Sequence, residues 1–401
     1  MSKFLNKLLS IALVVGLMVV MIAPVFADGV NRNEPGSPTE LIVTKNLFTN
    51  AKTTIPDLNF TFELMFIGSE ADVFDPFEYC NWVYSGTLEF TDDDLSPSPD
   101  PAVPGDIREG NATTGNLLAG IVWPSAGQFD FLLRERPDSN LIDTELETVW
   151  YDDTVYLVRV SVNSNGNVIG VAVWDFPNRS SLDDVNDLCT VVIENLDEVG
   201  KAAPEFSNIF IRSAGLEITK RVDGAMANQN EYFEFSVNLT APAFTRGVAQ
   251  TARVVNADGS PAFERNAAGE LIVPNVEWVI EFTLNPGESV TLPTVWLRND
   301  QSLVFENLPI PTSWTVTEVN SGSILVIDVW EGGNHMDIIG SNDTGVRVIT
   351  EGGQNAAVFT NSVDIPLTGL LAENLPFILI GLAAIGFFVI VVIGKKRRAY
   401  E

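Results

Sequence analysis

Two lysines stand where a β-strand should bury them, which makes them the first candidates for chemistry. In a strand, residues two apart share a face. Lys45 shares one with Leu41 and Val43, and Lys220 shares one with Ile218. A buried ammonium group without a partner is strongly unfavourable, so it normally loses its proton or pairs with a carboxylate. Each lysine therefore predicts an acidic partner elsewhere in the chain.

The same alternation indicates the partners. Glu135 ends a row of inward apolar residues in FDFLLRE, and Glu318 ends another in WTVTEV. Asn208 in EFSNIF and Asn361 in VFTNSV also share a face with apolar neighbours. Both halves of the chain therefore offer a Lys, a Glu and an Asn, in that order, on faces that point inward.

One reaction uses a buried lysine, glutamate and asparagine together. Burial drives the lysine toward the neutral amine and the glutamate toward the acid. The amine can then attack the side-chain carbonyl of the asparagine. The protonated glutamate hydrogen-bonds that carbonyl and moves protons as ammonia leaves. We therefore predict two internal isopeptide bonds: Lys45–Asn208, assisted by Glu135, and Lys220–Asn361, assisted by Glu318.

The alternative is a lysine at a strand edge that extends its ammonium group into water. Two matching sets favour the cross-links, because only Lys45, Lys52, Lys201 and Lys220 lie between the two ends of the chain. The bonds would close loops of 208 − 45 = 163 and 361 − 220 = 141 residues. By analogy with disulfides, each would stabilise the fold by roughly 4–5 kcal/mol.

The elements that position these residues are predicted to be strands. Residues 60–66 alternate apolar and other side chains, and segments 155–162 and 168–174 flank an NSNGN turn, which is typical of a hairpin. TKNL at Thr44 and TKRV at Thr219 begin two similar halves. We expect an all-β fold of two tandem Ig-like β-sandwich domains, 40–213 and 214–364, with a very short join.

Both ends of the chain are predicted to be targeting segments. Residues 1–27 have two early lysines, an apolar run and a Val-Phe-Ala cleavage site, as in a secretory signal peptide, and 28–39 form a polar linker. Residues 375–394 are apolar enough to cross a bilayer, and the basic residues 395–398 follow them. Before that span stands the pentapeptide Ile365, Pro366, Leu367, Thr368, Gly369.

This three-part C-terminus, 365–401, resembles the LPxTG-type cell-wall sorting signal of Gram-positive surface proteins, with Ile365 in place of the usual leucine. The resemblance implies that a sortase cleaves after Thr368 and joins it to an amine. It also implies display at the cell wall, with only transient membrane anchoring through 375–394.

Composition excludes several functions. The 401-residue chain carries 23 Lys+Arg against 53 Asp+Glu, a net charge of −30, which argues against nucleic acid as a partner. Its single histidine excludes sites that need two imidazoles. We expect no metal and no cofactor.

Cys80 and Cys189 could form a disulfide in an exported chain or remain thiols. A hydrolase using a carboxylate pair is the enzyme alternative, although nothing marks one pair.

Several segments together resemble the T-antigen-type (FctA-like) major pilin domain of Gram-positive bacteria. They are VTKNL, FDFLLRERP, YDDTVYLVRVSV and EFSNIF in the first half, and ITKRV, WTVTEVN and VFTNSVDIPLTG in the second. The resemblance implies tandem β-sandwiches with a glutamate-assisted Lys–Asn bond in each. It implies a structural surface protein, not a turnover enzyme.

Pilin shafts of this family grow when a sortase joins the threonine of one subunit to a lysine of the next. The remaining lysines here are Lys201, shortly before the closing strand of the first half, and Lys52, after the first strand. Lys201 matches the family's placement better. The partners are then a sortase and either the next subunit or peptidoglycan. The alternative is a wall-anchored monomeric adhesin that binds a host or neighbouring-cell ligand.

Overall fold

The computed structural model describes most of the chain between the two ends. The described residues are 39–69, 83–97, 107–137, 146–175, 203–245, 249–272, 276–319 and 324–363, together with 377, 379, 380, 382 and 385. Those between 39 and 363 form 21 β-strands and one short 3₁₀ helix, and the five residues beyond 376 are helical. The predicted all-β class is therefore confirmed.

The first half contributes ten strands. They are β1 Thr44–Asn50, β2 Leu58–Ser69, β3 Val83–Phe90, β4 Ser96–Pro97, β5 Ile107–Thr113, β6 Gly127–Arg136, β7 Glu147–Trp150, β8 Val155–Val162, β9 Val168–Asp175 and β10 Glu205–Asp223, with a 3₁₀ helix at Asp92–Asp94. One sheet has the order β3-β2-β6-β8-β9, and the sheet opposite it contains β4-β5-β1-β10 with β7. The predicted hairpin at the NSNGN turn is confirmed as β8 and β9.

The core of the first half lies between these two sheets. Phe60, Phe62 and Phe131 of one sheet pack with Leu47 and Phe206 of the other, and all five are at most 1% exposed. The outer face of β2 is not simply polar, because Met65 and Ile67 join a separate small cluster with residues of β6, β8 and β9. Strand alternation alone does not predict that second cluster.

The second half contributes eleven more strands. They are β11 Phe233–Thr240, β12 Ala249–Val255, β13 Val279–Thr283, β14 Ser289–Thr291, β15 Val295–Leu297, β16 Ser302–Pro309, β17 Ser313–Val319, β18 Ile324–Glu331, β19 Asn334–Ile339, β20 Arg347–Val348 and β21 Ala356–Ser362. One sheet contains β14-β11-β17-β20 with β15. Opposite it, β13-β12-β16-β10 continues through β21 and β18 to β19. The core between them includes Phe235, Val316, Phe305 and Phe359.

Strand β10 belongs to both halves. Its first part pairs parallel with β1 and antiparallel with β7, and its last part pairs antiparallel with β16 and parallel with β21. The predicted domain boundary at 213/214 falls inside this 19-residue strand, at a register shift between Ala214 and Leu216. The two hydrophobic cores lie on either side of that shift. The join is therefore a continuous strand rather than a loop.

Side-chain contacts also cross the join. The fully buried Asn50 donates to the carbonyls of Phe244 and Ile310, at 2.9 and 3.0 Å, and accepts from the backbone N–H of Phe244. Arg212 pairs with Glu147 of the first half and, at 2.5 Å, with Glu351 of the second. The Asn50 bonds hold the end of β1 against the second half, and Arg212 ties β7 and β10 to it.

Several predicted segments lie outside the described residues. They are the signal peptide 1–27, almost all of the linker 28–39, Cys80, Cys189, Lys201, the pentapeptide 365–369 and most of the predicted span 375–394. Within the described part of the chain, no helix is long and apolar enough to cross a membrane. The predictions made for these segments remain predictions.

Candidate functional site

The first site is built by three strands that meet inside the first core. Lys45 is fully buried on β1, and its Nζ lies 2.8 Å from Oε2 of Glu135 on β6. The other carboxyl oxygen of Glu135, Oε1, accepts a hydrogen bond of 2.7 Å from Nδ2 of Asn208 on β10. The aromatic ring of Phe60 lies 4.7 Å from the Lys45 amine. The structure therefore brings together the three residues predicted for this site.

The second site repeats this arrangement. Lys220 of β10 is fully buried, with its Nζ 3.1 Å from Oε2 of Glu318 on β17. Asn361 of β21 donates from Nδ2 to Oε1 of the same glutamate at 2.6 Å. Here the ring of Phe233 lies 4.3 Å from the amine. In both sites one carboxyl group bridges the amine of the lysine and the amide nitrogen of the asparagine.

Strand register explains why the two sites match. In each, the lysine and the asparagine lie on neighbouring parallel strands. Lys45 is opposite Phe206, with Asn208 two residues further on, and Lys220 is opposite Phe359, with Asn361 two residues further on. Residues two apart share a face, so each asparagine points to the same side as its lysine. β10 supplies the asparagine of the first site and the lysine of the second.

The environment of the asparagine carbonyl differs between the sites. Oδ1 of Asn208 accepts the backbone N–H of Asp152 at 2.9 Å. The Asp152 carboxylate in turn accepts the backbone N–H groups of Ser207 and Thr154, at 2.8 and 2.9 Å, which holds this loop in place. In the second site, Oδ1 of Asn361 is buried and has no hydrogen-bond partner within the described part of the chain. Sequence spacing does not predict the bond from the Asp152 N–H to Asn208, because from the sequence Asp152 is interpreted as a solvated loop acid.

The amide orientation refines the predicted role of the glutamates. Strand alternation and the expected chemistry predict a hydrogen bond from the glutamate to the asparagine carbonyl. In the structure, Glu135 contacts the amide nitrogen of Asn208 instead. This orientation is required at the first site, because the Asp152 N–H can only donate and must therefore face Oδ1. Each glutamate thus lies between the lysine amine and the amide nitrogen of the asparagine.

Burial sets the protonation states. It lowers the pKa of Lys45 to about 8, against the opposing effect of Glu135. Burial likewise lowers the pKa of Lys220 to about 8, against the charge of Glu318. It raises the pKa of Glu135, and the charge of Lys45 offsets part of that rise. The first pair is therefore shifted toward a neutral amine beside a protonated acid, which are the forms that a nucleophile and a proton donor need.

Comparison with known proteins gives a partial match. A family model described as a domain of unknown function, DUF7601, matches residues 214–362. No curated protein matches the chain. Solved structures include the major pilin of Streptococcus pyogenes, at 17% identity and TM-score 0.33, covering 82% of this chain and 99% of that one. The T3.2 major pilin of the same species matches at 16% identity and TM-score 0.31, covering 84% and 100%.

A pilus-presented adhesin, Spy0125 (Cpa), is also similar, at 14% identity and TM-score 0.26, covering 57% of this chain and 39% of the adhesin. TM-scores this low describe a loose overall superposition. The function is therefore inferred from the geometry of the two sites.

Of the two lysines predicted to link subunits, the structure describes one. Lys52 is exposed in the turn that follows β1, with a positive φ of 63°. Such a backbone conformation is uncommon for a residue other than glycine. Its side chain is far more accessible than those of Lys45 and Lys220, which are fully buried.

Proposed function

We propose that this chain is an exported, wall-linked subunit of a pilus-type surface fibre, in which each sandwich closes a Lys–Asn isopeptide bond on itself. The observation that carries the proposal is the pair of buried Lys–Glu–Asn sets in the same strand register. A single buried ion pair has ordinary structural explanations. Two sets of the same three residue types, each with an asparagine amide as the third member, favour a cross-linking reaction over a purely structural ion pair.

The reaction balances without a cofactor. The neutral amine of Lys45 attacks Cγ of Asn208, so that a new C–N bond forms while the bond from Cγ to Nδ2 breaks. Glu135 takes a proton from the lysine nitrogen at Oε2 and supplies one to the departing nitrogen from Oε1, and ammonia leaves. The Asp152 N–H supports the negative charge that develops on Oδ1. Each site reacts once, so the chain is not a turnover enzyme.

The rate of cross-linking at the first site should depend on pH with a maximum. The reactive pair holds one proton, on Glu135, with Lys45 neutral. Below the raised pKa of Glu135, whose ordinary value is 4.5, both groups are protonated and the amine cannot attack. Above the pKa of about 8 for Lys45, the pair loses its last proton and ammonia has no donor.

This profile can be measured by intact mass on Glu318→Gln protein recovered unfolded and unreacted from inclusion bodies in denaturant. Ammonia loss is followed while that protein refolds at a series of pH values. The glutamine blocks the second site, so only the first contributes. Asn208→Ala added to Glu318→Gln should abolish the signal. A rate that rises steadily from pH 5 to pH 10 would contradict the proton-sharing role of Glu135.

The first site should react faster than the second. Asn208 has a backbone donor at its carbonyl, whereas no residue that the structure describes donates to that of Asn361. One such donor changes a rate by about 10²–10³-fold in enzymes. Glu318→Gln protein reports the first site and Glu135→Gln protein the second. Equal rates, or a faster second site, would exclude the assigned role of Asp152. If neither variant lost ammonia, the isopeptide proposal itself would be wrong.

The two bonds would give the fibre a short path for mechanical load. Asn208 and Lys220 are 220 − 208 = 12 residues apart on β10. Force applied beyond β21 would pass through the Asn361–Lys220 bond into β10. If the next subunit is joined at Lys52, the force continues through Asn208–Lys45 into β1, and if it is joined at Lys201, the force leaves along the chain before Asn208. Most of both sandwiches would then be bypassed, because the chain cannot unzip between cross-linked strands.

Assembly is tested separately, by electrophoresis of wall extracts from cells that make the full chain. A pilus subunit should give a ladder of covalent multimers, and Lys201→Ala should remove it. Lys52→Asn is the matched control, since asparagine tolerates the positive φ at this position. If only the Lys52→Asn variant lost the ladder, the linking lysine would be Lys52 and not Lys201. A single monomer band in the wild type would favour the anchored adhesin.

A further inference from the structure

The hairpin of β18 and β19 carries a cluster that the isopeptide chemistry does not use. Asp328 lies opposite Asp337, and Trp330 lies opposite His335. His335 and Asp337 are two apart on β19, so they share a face with these partners. The neighbours of Asp328 on β18 alternate toward the core, which leaves the face with Asp328 turned outward. The only histidine of the chain therefore stands between two carboxylates.

The distances suit a metal ion. Nε2 of His335 lies 3.3 Å from Oδ1 of Asp328 and 3.0 Å from Oδ1 of Asp337. The three ligand atoms all lie within 4.8 Å of one another. A tetrahedral zinc ion with bonds of about 2.0–2.2 Å separates its ligands by about 3.3–3.6 Å. Small side-chain rotations would bring all three atoms to bonding distance.

Charge and ring orientation support the same assignment. Two aspartates directly opposite each other on neighbouring strands repel, and a cation between them removes that cost. The ring of Trp330 lies 4.7 Å from that of His335, at an interplanar angle of 34°. This contact restricts the imidazole while Nε2 faces the carboxylates.

We propose that Asp328, His335 and Asp337 form a surface site for a divalent cation of the zinc class. The imidazole selects Zn²⁺ and its neighbours in the transition series over Ca²⁺ and Mg²⁺, which prefer oxygen ligands alone. Water completes the coordination. The bound ion ties β18 to β19, and β18 is the neighbour of β21, the strand of Asn361.

The single histidine makes a direct test possible. Full-length protein, without a polyhistidine tag, is labelled with ¹⁵N-histidine and titrated with Zn²⁺. We expect one imidazole spin system, a shift of the Nε2 resonance much larger than that of Nδ1, and saturation at one ion per chain. An equal titration with Mg²⁺ should leave both resonances in place.

Variants separate binding from a purely structural role. Asp337→Asn should abolish saturable zinc binding in calorimetry, as should His335→Ala. Glu281→Gln is the control, because it removes one charge from an exposed strand position of the same extended sheet and leaves the three ligands intact. If His335 only bridges the aspartates as a cation, zinc will not move its Nε2 resonance. That result, or undiminished binding in His335→Ala, would overturn the proposal.

Discussion

Purified wild-type protein should be lighter than its formula mass by two molecules of ammonia, and Glu135→Gln protein by one. The glutamine keeps the size and much of the hydrogen bonding of the glutamate, but it cannot pass a proton from Lys45 to the departing amide nitrogen of Asn208. Loss of a general acid–base group slows such a step by about 10²–10⁴-fold. Glu318→Gln should likewise lose one ammonia, and the double variant none.

Intact mass gives the count, and tandem mass spectrometry of a digest locates the branched peptides that join Lys45 to Asn208 and Lys220 to Asn361. Glu63→Gln is the matched control. Glu63 lies on β2, next to the strand of Glu135, and pairs with Arg134 at 2.9 Å outside the site. It should leave both mass deficits unchanged. A wild-type mass equal to the formula mass would exclude the cross-links.

The variant that lacks both cross-links should be far less stable than the wild type. Each bond closes a loop of more than a hundred residues, worth about 4–5 kcal/mol on the disulfide analogy. Losing both removes about 8–10 kcal/mol, which is comparable with the whole free energy of unfolding of many domains. One kilocalorie per mole shifts the melting temperature by about 2–4 °C in a domain of 150–250 residues, so each lost bond should lower it by about 8–20 °C.

Calorimetry of wild type, Glu135→Gln, Glu318→Gln and the double variant would measure these shifts. Glu63→Gln again controls for the loss of a partly buried carboxylate. If melting temperatures differed by only one or two degrees while the mass deficits disappeared, the bonds would exist without stabilising the fold. Resistance to trypsin should follow the same order, because digestion samples the opened state.

Much of the site can be predicted from strand alternation. A period of two residues identifies Lys45, Glu135 and Asn208 as inward-facing, because each continues a row of apolar side chains. A polar side chain in such a row must find a partner or pay the cost of desolvation. The spacing of the two repeats predicts the second set in the same way. No comparable rule points to Asp152, because its contribution is a backbone N–H presented by a loop.

The cluster of Asp328, His335 and Asp337 could not be predicted from the sequence either. His335 is one histidine in an acidic chain and indicates nothing by its spacing. The contacts of His335 depend on the register of β18 against β19, which brings Asp328 opposite Asp337. Register between strands is set by turn geometry and by which faces are buried. Neither the turn geometry nor the buried face can be read directly from a sequence motif.

The order of residues along the chain was enough to establish an acidic all-β protein with two similar halves, and to single out six buried polar side chains. These properties follow from local periodicity and composition. Only the tertiary structure decided that β10 serves both halves and that each glutamate faces the amide nitrogen. It also decided that the Asn208 carbonyl has a backbone donor, whereas the Asn361 carbonyl has none among the described residues. Those features depend on contacts between residues far apart in sequence, and strand pairing alone determines which of them meet.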